Sequence, residues 1–259
     1  MLGRCLASVS AVADELVVVD TGSTDATVAI ARGHGAVVLH HDFDPVDFAA
    51  ARNAGLARAG GDHILVLDAD ETLEPASAPV VRSLARAGEN VGYVVTRRNH
   101  QEGRTWLDHA VRLFPGRPEH RYRHRVHETV DDSILAAGGR LRRSEIILDH
   151  HLPPRAEHRA KGLRYLALLE EEAAGDADRL VFLAAEYHKL ERFAEATATA
   201  ERVALLSPDD FTAQFNVALY HHFFLQDPDR AKADVQKALV LRPTDPEALA
   251  LLAEIDAGA

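Results

Sequence analysis

Between residues 16 and 70 the chain alternates three short runs of β-branched and leucine residues with two alanine-rich stretches. That alternation restricts the fold more than any other feature. "LVVVD" (16–20), "AVVLHH" (36–41) and "HILVLDAD" (63–70) have strand composition, the last apolar enough for a strand covered on both faces. "STDATVAIARGHG" (23–35) and "DFAAARNAGLARAGG" (47–61) have helical composition and end in glycine. Ser23 or Thr24 is expected to cap the first helix, since a hydroxyl there accepts from free backbone N–H groups. Strand–helix–strand–helix–strand predicts an α/β layer built on a parallel sheet. A further helix (79–88) and strand (91–99) follow, then an Arg- and His-rich stretch with strands in "AVRLFP" and "SEIILDHH".

Past Pro153 and Pro154 the β-branched runs disappear and Ala, Leu, Glu and Arg dominate. A helix is expected over 155–175. Two similar segments follow, 182–210 and 215–245, with Pro208 and Pro243 35 residues apart. The spacing is one longer than the 34-residue period of helical-hairpin repeats. The extra residue fits the "QDPD" loop between the two helices of the second unit. A last helix closes the chain. The expected domains are therefore 1–152, α/β, and 153–259, all-α. Two units are fewer than a free-standing array needs, so they are expected to lean on the helix 155–175 or on another chain, a protein partner or a second copy in a homo-oligomer.

A formal charge of -11 without a long basic run argues against a nucleic-acid or anionic-membrane binder. No apolar run reaches the length of a membrane span. The single cysteine, Cys5, allows no internal disulfide, which suits a reducing, cytoplasmic setting.

Five groupings could carry chemistry. The turn "DTGSTD" joins a strand end to a helix start, with Asp20 as an acceptor and Gly22 and Ser23 allowing close backbone approach. It reads equally as an ordinary capped turn. Arg52 and Asn53 interrupt an alanine-faced helix. Asp68 and Asp70 alternate off a strand end, where hard oxygen ligands suit Mn2+ or Mg2+ together with phosphate oxygens. Residues 112–125 hold five arginines in 14 positions, Arg125 among them, which suits an anion pocket or a solvated basic loop. His150 and His151 end a strand, one of them a further candidate ligand for a metal at Asp70. A phosphate loop, a dinucleotide turn, a nucleophile elbow and a cysteine zinc site are all missing from the sequence.

In this order, "LVVVDTGSTDATVAIARGHGA", "DFAAARNAGLARAGGDHILVLDADETL", "VRLFPGRPEHRYRHRVHE" and the late "HH" resemble family 2 glycosyltransferases of the GT-A fold. That fold is a Rossmann-like nucleotide-diphospho-sugar transferase domain, and the C-terminal half resembles tetratricopeptide repeats. The resemblance implies inverting transfer of a sugar from a nucleotide-diphosphate donor. It casts Asp20 as holding the nucleoside, with Gly22, Ser23, Arg52, Asn53, Asp68 and Arg125 lining the donor site. Asp70, Asp68 and His150 or His151 would hold the metal. Glu128, and second Asp108, would accept the acceptor's proton. Such relatives place a strand ending in Asn-Glu before the helix that begins at Met1 here. The resemblance therefore implies an open central sheet edge, filled by upstream residues, covered by a partner, or left open in a scaffold that has lost donor binding.

Overall fold

The β-branched runs do form strands, but they divide between two sheets. The structure, a computed structural model, describes residues 1–173 and 176–258. In its N-terminal part α1 (Leu2–Val9), β1 (Val17–Asp20), α2 (Thr27–Gly33), β2 (Val37–His40), α3 (Phe48–Arg58) and β3 (His63–Leu65) come first. β4 (Glu71–Leu73), α4 (Ala78–Arg86), β5 (Val91–Gln101), β6 (Arg104–Pro115), α5 (Asp131–Ala136) and β7 (Arg140–His151) follow. β1 and β2 pair in parallel, Val17 opposite Val37 and Asp20 opposite His40. The other five strands are ordered β3-β6-β5-β7-β4.

That second sheet is mixed rather than parallel, which corrects the sequence expectation. β5 and β6 form a long hairpin whose two-residue loop, Glu102–Gly103, has positive φ at both positions (49° and 78°). Such a turn matches the right-handed twist of its strands. β6 then offers its far edge to β3, antiparallel, while β7 lies parallel to β5 and antiparallel to β4. The expected strand 63–70 is thereby shortened to β3 and a connecting loop, and β4 begins only at Glu71.

Layers cover both faces of the five-stranded sheet. On one, Val81 of α4 and Val9 of α1 join Tyr93, Val95, Leu113, Ile146 and Leu148. On the other, Ala49 of α3 and Ile134 of α5 join Val111, Phe114, Tyr122 and Val130. α3 also reaches the smaller sheet: a Cβ on Gly55 would lie 3.1 Å from Val19 Cγ2. The three valines of β1, and Ile64 and Leu65 of β3, are only half-buried.

From 155 onward the chain is helical: α6 (Arg155–Glu172), α7 (Ala177–Lys189), α8 (Phe193–Leu206), α9 (Phe211–Phe223), α10 (Pro228–Leu241) and α11 (Pro246–Gly258). The last two residues of the helix expected over 155–175 lie outside the described residues. The chain parts into units at His158 and Arg159. Asp210 and Asp245, equivalent in the two repeats, each accept backbone N–H groups at the start of the next helix. Ala218, Ala231, Ala238 and Ala248 are fully buried, so helices approach closely around Val235. Ser23 and Thr24 cap nothing, because α2 starts at Thr27, whose N–H is taken by Asp25. Among the described residues no helix is long and apolar enough to cross a membrane.

A four-residue, two-stranded ribbon with half-buried valines should open more readily than the central strands. Amide exchange read by mass spectrometry is expected to be at least about tenfold faster in β1 and β2 than in β5 and β7. Equal protection would show that the ribbon is held as firmly as the larger sheet.

Candidate active site

β3 and β4 are opposite edges of the five-stranded sheet, so residues 66–70 cross its whole width. The crossing ends in a turn: the Glu71 N–H bonds the Asp68 carbonyl at 2.9 Å, closing residues 68–71. Asp68 and Asp70 ride on this crossing. Beneath it the strands supply Arg112 from β6, Arg97 and Asn99 from β5, and His150 from β7.

The first half of the crossing is a charge network. Asp68 Oδ1 accepts from Arg52 Nη2 at 2.7 Å and Asp68 Oδ2 from Arg112 Nη2 at 2.8 Å. The same Arg112 nitrogen donates to Glu71 Oε1 at 2.9 Å, and Glu71 Oε2 accepts the Asp68 N–H at 2.8 Å. Glu71 is fully buried and Arg112 is 4% exposed. Arg97 Nη1 stands 3.6 Å from Glu71. Burial works to raise the Asp68 pKa, and the Arg112 and Arg52 guanidinia outweigh it, holding the carboxyl well below its usual range. Burial prevails at Glu71 and moves its pKa up. Cys5 donates its thiol to the Asp68 carbonyl, and burial beside Glu71, Asp68 and Asp70 pushes its pKa up to about 12. That thiol is inert packing.

Arg52 extends the network to Glu128, its Nε 2.5 Å from Oε1. Oε2 of Glu128 takes no hydrogen bond from a described residue. Asn53, the next residue on α3, is turned elsewhere: its amide gives to and accepts from the Tyr122 backbone, both at 2.9 Å. It pins the loop that carries Glu128, and Arg52 lies over the Tyr122 ring. The loop closes on itself through Arg123 and Thr129, with His124 and His127 in left-handed backbone conformations. Arg125 donates to the Val46 carbonyl just ahead of α3. The five arginines do not gather as one anion pocket: Arg112 is committed to acids in the core and Arg121 to the His120 carbonyl.

At the far end of the crossing, β4–β7 pairing sets Glu71 opposite His150, and His151 N–H bonds the Asp70 carbonyl. His150 Nε2 faces Asp70 Oδ2 at 3.5 Å. That is longer than a charge-assisted hydrogen bond of about 2.7–2.9 Å. Of the two candidate histidines it is His150 that faces Asp70, because alternate strand residues face opposite ways and the His151 ring stacks on His100 instead. Asp108, expected as a second choice of base, is gripped by Arg97 Nε and Nη2 at 2.6 and 2.9 Å and also accepts from Asn99. Both its oxygens are engaged, which makes it a poor proton acceptor. Among the described residues no group of three or more His, Cys, Asp or Glu side chains is gathered around one point.

Asp20 stands apart, at the end of β1. It accepts from the Ser23 N–H at 3.2 Å and faces His40 Nδ1 at 3.2 Å, and Gly22 makes the turn with φ of 101°. Hydrogen bonding from Ser23, chiefly, and His40 keeps its carboxyl pKa low. Among the described residues no hydrogen bond or ion pair links this turn to the Asp68 network.

Residues 1–147 match the model of the family described as Glycosyl transferase family 2. The chain belongs to that family. A TPR repeat-containing protein of Synechococcus elongatus is 48% identical over 136 residues, which is 52% of this family 2 chain and 34% of the relative. The chain thus spans about a third of that relative's length. Solved structures similar to the chain include MamA (AMB-1), with 23% identity, a TM-score of 0.32, and 36% of this chain and 55% of that one covered. Another is the second TPR domain of human RPAP3 in complex with an HSP70 peptide, at 24% identity and TM-score 0.33, covering 38% and 84%. The N-terminal unit is glycosyltransferase-like and is followed by the helices α6–α11.

Arg112→Met leaves Glu71 and Asp68 without their shared cation and is expected to cost about 3–5 kcal/mol at neutral pH, read by denaturant unfolding. Asp68 has its folded pKa below the ordinary 3.8. Its contribution is therefore complete above that value and is lost as pH falls through the folded pKa. The gap between wild type and Arg112→Met should narrow below about pH 4. A gap that stays constant under acid would show that Asp68 is not what Arg112 stabilises.

Proposed function

We propose that the family 2 unit is an inverting, metal-dependent glycosyltransferase that moves a sugar from a nucleotide-diphosphate sugar to an acceptor hydroxyl. The observation that supports it most is the facing pair Asp70 Oδ2 and His150 Nε2, set beside the Asp68–Arg52–Glu128 network. A carboxylate and an imidazole 3.5 Å apart fit two neighbouring positions around a small divalent ion, whose ligands lie at about 2.0–2.2 Å. Asp70 and His150 would hold Mn2+ or Mg2+, and phosphate oxygens and water would complete the shell. When bound, that ion would supply positive charge against the departing diphosphate.

The chain's own groups carry the remaining work. Asp20 and the Gly22–Ser23 backbone receive the nucleoside, and Arg125 belongs to the same donor side. Glu128 takes the proton from the acceptor hydroxyl at Oε2, while the Arg52 bond at Oε1 fixes the carboxylate's direction. The acceptor oxygen forms its bond to the anomeric carbon as the carbon–phosphate oxygen bond breaks. The electron pair of that bond leaves with the nucleoside diphosphate.

The test is release of nucleoside diphosphate by the full chain across uridine- and guanosine-diphosphate sugars with Mn2+. Glu128→Gln should lower kcat by about 10²–10⁴-fold, and Asp70→Ala should abolish the Mn2+-dependent turnover. No turnover and no thermal shift with any donor, or an unaffected Asp70→Ala, would overturn the reading.

A second reading, a protein-interaction module, is favoured by one observation. Leu205 and Val240, equivalent in the two repeats, are 80% and 79% exposed. If these side chains join copies of the chain, light scattering should give a mass above the monomer that Leu205→Glu with Val240→Glu returns to the monomer. A monomeric wild type would exclude the homo-oligomer.

A further inference from the structure

Asn99 is 2% exposed, lies within the central strand β5 and uses both ends of its amide. Strand register explains its neighbours. Asn99 pairs with His150 across β7, and Asp108 sits diagonally across β6, opposite Arg97. Asn99 Nδ2 lies 3.1 Å from Asp108 Oδ2, and Asn99 Oδ1 lies 2.8 Å from His150 Nδ1.

These contacts have one consistent direction. Asp108, held in the fork of Arg97, is a carboxylate and only accepts. The amide must therefore turn its NH2 toward Asp108 and its carbonyl oxygen toward His150. That oxygen in turn accepts only an N–H, so the His150 proton belongs on Nδ1. In the neutral ring Nε2, facing Asp70, then has its lone pair outward.

We propose that Asp108 and Asn99 are positioning residues that set His150 as the Nδ1–H tautomer and so present Nε2, with Asp70, to a divalent cation. The proposal rests on the metal-dependent reading above and assigns Asp108 a role other than proton acceptor. Partners of this kind commonly change metal affinity by about 10–100-fold when removed. Asn99 would act through the histidine ring and touch neither the cation nor the substrate.

The test uses the full chain, with Mn2+ as the probe, with and without uridine diphosphate, and takes the part of binding that Asp70→Ala removes. Electron paramagnetic resonance reads the affinity, and nitrogen-15 NMR of the metal-free protein reads the His150 tautomer. Wild type should show Nδ1–H. Asn99→Leu should lose that tautomer and weaken Mn2+ binding at least about tenfold. The exchanged pair Asn99→Asp with Asp108→Asn keeps one donor and one acceptor in the same chain and should recover both signals. An Nε2–H wild type overturns the proposal whatever the metal does. So does Asn99→Leu binding Mn2+ as wild type does, which would leave the metal reading standing. A loss that the exchanged pair does not recover would assign Asn99 to packing alone. A wild type that binds no Mn2+ at this site while showing Nδ1–H would overturn the metal reading and the proposal with it.

Discussion

One buried cation holds the Asp68 end of this unit together. Arg112 lies under the segment that crosses the sheet from β3 to β4, and one of its nitrogens reaches both Asp68 and Glu71. Without it, two carboxylates three residues apart would face each other in a partly apolar enclosure, where repulsion is poorly screened. With Arg52 on the other oxygen of Asp68, the acids are balanced, and the backbone can turn between Asp68 and Glu71 with both carboxylates on guanidinium groups. Glu71 then faces inward as a hydrogen-bond acceptor for the crossing's own Asp68 N–H. Asp70, outside this balance, is the acid left for other chemistry.

The rest of the site is a consequence of register. A strand residue faces the same side as its partner across the ladder, so fixing β4 on β7 and β7 on β5 fixes the line Glu71, His150, Asn99, Asp108. Asp70 reaches His150 from the turn just before β4. A slip by one residue would turn His150 over and bring His151 into its place. The β5–β6 hairpin, long and closed by a two-residue turn, sets that register locally. It needs no help from the smaller sheet.

The sequence made the α/β class, the helical repeats and the family resemblance legible because periodicity and motif order are local or ordered along the chain. Sheet pairing was less so. "HILVLDAD" has the composition of one buried strand, and nothing within it announces that β3 pairs antiparallel and that the chain then leaves the ladder. Arg112 was grouped with its basic neighbours, although its position between Val111 and Leu113 in an apolar strand was a signal of a buried ion pair. Asn99 carries no signal of its own in the sequence, because its two partners come from other strands. His150 and His151 could not be separated until the faces of β7 were known.

α3 is the element that joins these parts, and it does so with consecutive residues. Arg52 reaches Asp68 and Glu128, Asn53 fixes the Tyr122 backbone, and Gly55 lets the helix settle against Val19 of β1. Its far end is clipped by Glu15, which accepts from Arg58 and the Gly60 N–H. The smaller sheet, carrying Asp20, is thus tied to the larger through a helix that covers both, while among the described residues β1 and β3 each have a strand partner on one edge only. Unpaired edges with half-buried valine and leucine are a poor resting state for a sheet. The helix therefore has to carry a positional task that strand pairing would otherwise perform. Any shift of α3 along β1 would move the Asp20 turn relative to Arg52 and so change the spacing between the two polar groupings that α3 holds in place.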